Sequence, residues 1–107
     1  MKLITREIIE KAPAFHSQDE KSSTEIMIVA KFFNPCGAGT WYMTEYDSEK
    51  KMGFGWVSLG FGPECDELGY FSIDELESIE GPLKIGIERD IHWQPRPLSE
   101  VMSANLV

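Results

Sequence analysis

A chain of 107 residues with 42% hydrophobic content, three Trp, three Tyr and six Phe has the size and the apolar content of one compact domain, which excludes a disordered chain and two independent cores. Eighteen acids against ten bases give a formal net charge of -8, a field that repels nucleic-acid phosphates and anionic membranes at long range. The only adjacent bases, Lys50 and Lys51, directly follow Glu49, so no basic stripe is present for a groove reader.

Thr5 to Ala12 is predicted as a short helix, with Thr5 as N-cap, Glu7 in the first turn, Ile8 and Ile9 on the buried face and Pro13 as the stop. His16 to Thr24 is polar and without period, and is expected to be a surface loop. Glu25 to Phe33 is rich in Ile, Val and Phe and reads as a central strand with both faces covered. Asn34-Pro35-Cys36-Gly37-Ala38-Gly39 is a turn. Thr40 to Tyr46 follows as a strand, with Trp41, Met43 and Glu45 on one side and Thr40, Tyr42, Thr44 and Tyr46 on the other.

After a turn over Asp47 to Lys51, Met52 to Leu59 is a third strand in which Gly53 and Gly55 signal a bulge or a close backbone contact. Gly60 to Asp66 is a loop and Glu67 to Phe71 a fourth strand. Ser72-Ile73-Asp74-Glu75 is a capping box opening a helix to about Ile79, with Ile73, Leu76 and Ile79 as its buried stripe and Gly81-Pro82 as its end. Leu83 to Trp93 holds one or two short strands, and Leu98 to Ala104 a final helical turn or two. Connections this short favour an antiparallel meander. The expected fold is therefore a single α+β domain over residues 1–107, an antiparallel sheet of about four or five strands with short helices on one face.

The residues support little specific chemistry. Cys36, Cys65, His16 and His92 are the whole set of soft metal ligands, and no close pair such as C-x₂-C is present, so neither a metal nor a cofactor is expected. The thiols are expected to be ordinary packing residues. Ser58 lacks the glycine two places before it that a nucleophile elbow needs, and Gly53-Phe54-Gly55 and Gly60-Phe61-Gly62 do not complete a phosphate-binding pattern. The N-terminal residues run into polar sequence without an apolar signal segment, and no apolar run approaches the ~20 residues of a membrane span. A cytoplasmic location with reduced thiols is expected.

From Glu64 to Glu80 the chain holds seven acids and no base. A solvated helix face accounts for them, and so does a docking surface for a basic protein partner, in which Glu67, Asp74, Glu75 and Glu77 would take part. Trp41 and Tyr42 are candidate contact aromatics. The alternative is a small enzyme or ligand-binding domain with a pocket near Trp41, Glu45, Arg89 and His92.

Several ordered segments carry a family resemblance. Lys31-Phe32-Phe33-Asn34-Pro35, Gly39-Thr40-Trp41-Tyr42-Met43-Thr44-Glu45, Glu67-Leu68-Gly69-Tyr70-Phe71-Ser72, Asp74-Glu75-Leu76-Glu77-Ser78-Ile79 with Gly81-Pro82-Leu83, and Ile87-Glu88-Arg89-Asp90 together resemble the family called domain of unknown function 2958. The likeness runs from Leu3-Ile4-Thr5 to Pro97-Leu98-Ser99-Glu100, and departs at Gly86, where a Pro is expected. It implies a small protein of plasmids, phages and other mobile elements, where accessory proteins often counter host defence, and it carries no catalytic residues. The leading expectation is a non-enzymatic interaction or regulatory module that binds a protein, without direct contact to nucleic acid or membrane.

Overall fold

The structure is a computed structural model and describes residues 2–79 and 85–104. In chain order it contains α1 (Arg6–Lys11), β1 (Met27–Ile28), β2 (Ala30–Phe33), β3 (Thr40–Asp47), β4 (Met52–Ser58), β5 (Glu67–Ser72), α2 (Ile73–Ser78), β6 (Glu88–Arg89), β7 (Arg96–Pro97) and α3 (Leu98–Ala104), with a 3-10 turn at Pro63–Cys65. Five strands form an antiparallel sheet in the order β5-β4-β3-β2-β6, and β1 with β7 forms a separate two-stranded ribbon. The fold is α+β, as the sequence predicts.

The hairpins follow from local chemistry. In the turn after β2, the Asn34 side chain accepts from the Cys36 amide at 3.0 Å, and the Asn34 amide donates to the Gly39 carbonyl at 3.0 Å. Gly39 supplies the positive φ of 123° that closes the reversal. In the next turn the Asp47 carboxylate accepts from the amides of Glu49 and Lys50. The helix caps form where predicted. Thr5 accepts from the Ile8 amide at 3.2 Å and Ser72 from the Glu75 amide at 3.2 Å, satisfying donors that the first turn leaves open.

The core lies on one face of the sheet. Ala30, Phe32, Trp41, Met43 and Phe71 project from the strands against Leu3, Ile4, Ile8, Ile73, Leu76 and Ile87, so the N-terminal segment, α1 and α2 share that face. Ile28 and Leu98 are buried outside this cluster, where the β1–β7 ribbon and α3 lie over part of the opposite face. Coverage by helix is thus not confined to one side.

Four local expectations are corrected. Segment 25–33 is divided: Val29 donates to the Met43 carbonyl at 2.8 Å, while Met27 and Ile28 pair with Pro97 and Arg96. The central strand is β3 rather than this one. Ile9 and Ile79 are exposed, because helices of six residues present less than two turns and bury a narrower stripe. Both cysteines are exposed rather than packed. The Gly81-Pro82 stop and Leu83 lie outside the described residues.

One irregularity organises the rest. The register between β3 and β4 shifts between Met43 and Glu45, leaving Thr44 as the extra residue of a bulge. Opposite it, a Cβ on Gly55 would stand 1.8 Å from the Tyr42 carbonyl oxygen, whereas one on Gly69 would meet nothing within 4 Å. Gly55→Ala should therefore lower stability by about 3 kcal/mol through overpacking against backbone. Gly69→Ala should raise it by about 0.5–1 kcal/mol, the usual strand gain over glycine. Urea unfolding of the two variants measures both, and a stable Gly55→Ala would contradict the bulge.

Candidate functional site

Because side chains alternate along a strand, an extra residue transfers everything beyond it to the other face. Trp41 is opposite Val57 and Met43 opposite Gly55, but Glu45 is opposite Phe54. Phe54 belongs with Trp56 on the face away from the core cluster. Glu45 therefore leaves Trp41's side, which corrects the predicted alternation. There it is buried, and its Oε1 accepts from the His16 amide at 2.9 Å while its Oε2 receives the Gln18 Nε2 at 3.4 Å. Gln18 also reaches the Thr44 carbonyl at 3.4 Å. His16 adopts a left-handed φ of 64°, uncommon for a residue with a side chain, and in that conformation its amide meets the carboxylate.

The 14–21 loop is thereby held on the sheet, and it brings aromatics with it. Phe15 and Phe54 pack on Tyr70 with ring centroids at 5.3 and 4.8 Å. The Tyr70 hydroxyl lies 3.2 Å from His16 Nε2, and His16 Nδ1 lies 3.4 Å from an Asp19 carboxylate oxygen. Nothing in the polar, aperiodic sequence of this loop signals that arrangement. Elsewhere on the same face Lys31 Nζ sits about 6 Å from the rings of Phe33, Tyr42 and Trp93, and Trp93 donates its indole N–H to the Ile28 carbonyl at 2.9 Å. Tyr42 thus belongs to a cation–π cluster.

The other predicted site residues are dispersed. Trp41 is buried in the core. Arg89 donates to the carbonyls of Lys2 at 2.7 Å and Leu3 at 3.4 Å, fastening the N-terminal segment to β6. His92 is exposed in the turn that follows, its amide on the Asp90 carboxylate at 2.9 Å. Arg89 and His92 share one shallow depression, but Trp41 and Glu45 face opposite sides of the sheet, so the four do not line one pocket. Among the described residues no group of three or more His, Cys, Asp or Glu side chains is placed to hold a metal ion.

The acids fall into two groups. Glu64, Asp66 and Glu67 sit at the start of β5; Asp74, Glu75 and Glu77 sit on α2 beyond its other end. Glu80 lies outside the described residues. Glu77 has a structural partner, accepting from the Leu3 amide at 2.8 Å. The ion pairs found among the described residues are Lys11–Glu7, His16–Asp19 and Arg96–Glu100, and none of these acids belongs to one. Their field is felt by two phenols. Burial raises the Tyr42 pKa above 10.0 and Asp66 raises it further. Burial likewise raises Tyr46, with Asp74, Glu77 and Asp47 adding to it. Between the acid groups β5 is the outer strand of the sheet, with Leu68 44% and Tyr70 52% exposed.

The architecture defines a small α+β sheet protein with no helix, among the described residues, long and apolar enough to cross a membrane. The family model described as a protein of unknown function (DUF2958) matches residues 3–105, and the chain belongs to that family. No curated protein and no solved structure matches it.

The two raised phenols make a pH prediction. A pKa raised on folding means that the native state holds its proton more tightly than the unfolded chain. The resulting stability is complete below the unfolded value near pH 10 and is lost as pH rises through the folded values. The urea midpoint should therefore fall above about pH 10, and Tyr42→Phe should reduce that fall. Asp66→Asn should bring the Tyr42 phenolate absorbance titration back toward 10.0. An unchanged titration would separate Asp66 from Tyr42.

Proposed function

We propose that this protein is a non-enzymatic protein-interaction module that receives a basic, extended segment of a partner along the outer edge of β5. The observation that carries the reading is the edge itself. β5 is six residues long and, among the described residues, has no strand beyond it, whereas β6, at the opposite edge, is only two residues long. Natural sheets blunt exposed edges with lysine, proline, bulges or brevity. Brevity serves β6. β5 carries no lysine or proline, and its one charged residue is Glu67 at its start; a row of backbone donors and acceptors along such an edge suits strand addition.

The charge at its ends favours a basic occupant. Glu64, Asp66 and Glu67 precede the exposed Leu68 and Tyr70, Asp74 and Glu75 follow, and no base occurs from 64 to 80. A segment of alternating basic and apolar residues would place cations at both ends and apolar side chains on Leu68 and Tyr70. On a mobile element, such a module would act by occupying a basic surface of a host protein, a defence nuclease being the kind of target that the family resemblance suggests.

The test uses a short peptide of alternating Lys and Val, together with a pulldown in which crosslinks identify the partner segment. Glu67, Asp74 and Glu75 are reversed to Lys in one variant; Glu77 is spared because it holds the Leu3 amide. Gly69→Lys in a second variant places a lysine on the edge where a side chain has room. Peptide binding should be lost in both variants and weaken at high salt, as expected for exposed charges. Binding that survives Gly69→Lys would rule out strand addition, and binding insensitive to the charge reversal would remove the acids from the site.

A further inference from the structure

The buried polar side chains among the described residues are Gln18 (6% exposed), Thr44 (2%) and Glu45 (5%). All three line one cleft of about 290 Å³ on the face of the sheet away from the core cluster. Phe54, Leu68, Leu98 and Met102 supply apolar walls, and Asp19 and Lys21 lie among its charged lining residues. A cleft of this size is at the small end of ligand sites, which are concave and apolar with a few placed polar groups.

Thr44 is satisfied, its hydroxyl donating to the Phe54 carbonyl at 3.1 Å. Glu45 is not matched in charge. An ionised carboxylate offers about four acceptor positions, and here one good bond from the His16 amide and one long contact from Gln18 are present. None of the ion pairs found among the described residues involves Glu45. Burying a carboxylate without a cation is costly, and a cation brought to it with good geometry recovers much of that cost.

We infer that this cleft binds a cationic group on a short apolar stem, an alkylammonium or alkylguanidinium, with the head at Glu45 and the stem along Phe54, Leu68, Leu98 and Met102. The bulge explains why the carboxylate is there: were Thr44 paired regularly in the ladder, Glu45 would face the core cluster. Two sources carry this chemistry, a free small amine and a basic side chain of a docked segment. Leu68 belongs both to the cleft wall and to β5, so a segment added to that edge passes beside the cleft. Only the second source rests on the docking reading.

The test is an amide chemical-shift titration of the whole chain with n-butylammonium and n-butylguanidinium, using n-butanol as the uncharged control. The cations should shift His16, Gln18, Thr44 and Glu45 saturably and bind about tenfold or more tightly than the alcohol, the increment of a charge-assisted hydrogen bond. Glu45→Gln keeps an oxygen for the His16 amide and removes the charge, so it should abolish the preference for cations. Met102→Trp fills the cleft without touching Glu45 and should abolish binding of both probes. Equal shifts from butylammonium and butanol in the native chain, a cation preference that survives Glu45→Gln, or binding that survives Met102→Trp, would overturn the site.

The Lys and Val peptide then separates the sources. A peptide that shifts the same amides in the native chain, and is lost in Gly69→Lys while butylammonium still binds, assigns the cleft to a docked side chain. Butylammonium binding with no peptide effect assigns it to a free amine, and in that case the docking reading fails while the cleft stands.

Discussion

The extra residue at Thr44 decides which side chains of the longest strand meet which neighbours. It is tolerated because Gly55 has no Cβ: the Tyr42 carbonyl occupies the space that one would fill. Before the bulge, Trp41 and Met43 enter the core beneath α1 and α2; after it, Glu45 emerges on the opposite face while Tyr46 returns to the core side. A regular strand would bury Glu45 in the apolar cluster, a position with no compensating donors. The bulge instead carries the carboxylate to the 14–21 loop, whose His16 amide and Gln18 side chain then have an acceptor. The loop is ordered by that contact and delivers Phe15 and His16 to Tyr70 on the outer strand. Core, loop and aromatic face are thus consequences of one insertion.

The two faces differ in how they are held. The core face is closed by apolar burial, with polar links at its margin: Arg89 on the Lys2 and Leu3 carbonyls, and Glu77 on the Leu3 amide. Residues that looked functional by type, Arg89 and Glu77 among them, serve there to seal the N-terminal segment. The other face is held by aromatic contacts, cation–π pairs and the small ribbon, and it remains partly open. Along the adjoining edge the exposed Leu68 and Tyr70 lie between acids that belong to none of the ion pairs found among the described residues.

Much of the strand order was readable in the sequence because hairpins announce themselves locally: Asn34 and Asp47 each form the side-chain-to-backbone bond that their residue type predicts. The same holds for the caps at Thr5 and Ser72. Longer-range features were not readable. Gly55 signalled a close contact, but the extra residue sits on the facing strand, so the alternation of β3 could not be traced through it. Gln18 binds partners 26 and 27 residues away, and nothing in its own neighbourhood distinguishes it from the exposed polar residues beside it. In α1, either Ile8 or Ile9 could have faced the core by periodicity alone; the docking angle of so short a helix decides, and it buries Ile8.

The spacing of the acids constrains any partner more than their number does. Glu67 and Ser72 stand at opposite ends of β5, about 17 Å apart at the usual rise of a strand. Exposed charges are screened over about 8 Å at physiological ionic strength. The group before β5 and the group on α2 therefore act as two local contacts and not as one continuous field. A compact basic knob would engage one group and leave the other unmatched. An extended segment reaches both, and between them it crosses the backbone edge together with Leu68 and Tyr70. On the proposed docking, charge placement and edge geometry, both set within residues 64–75, suit the same shape of occupant.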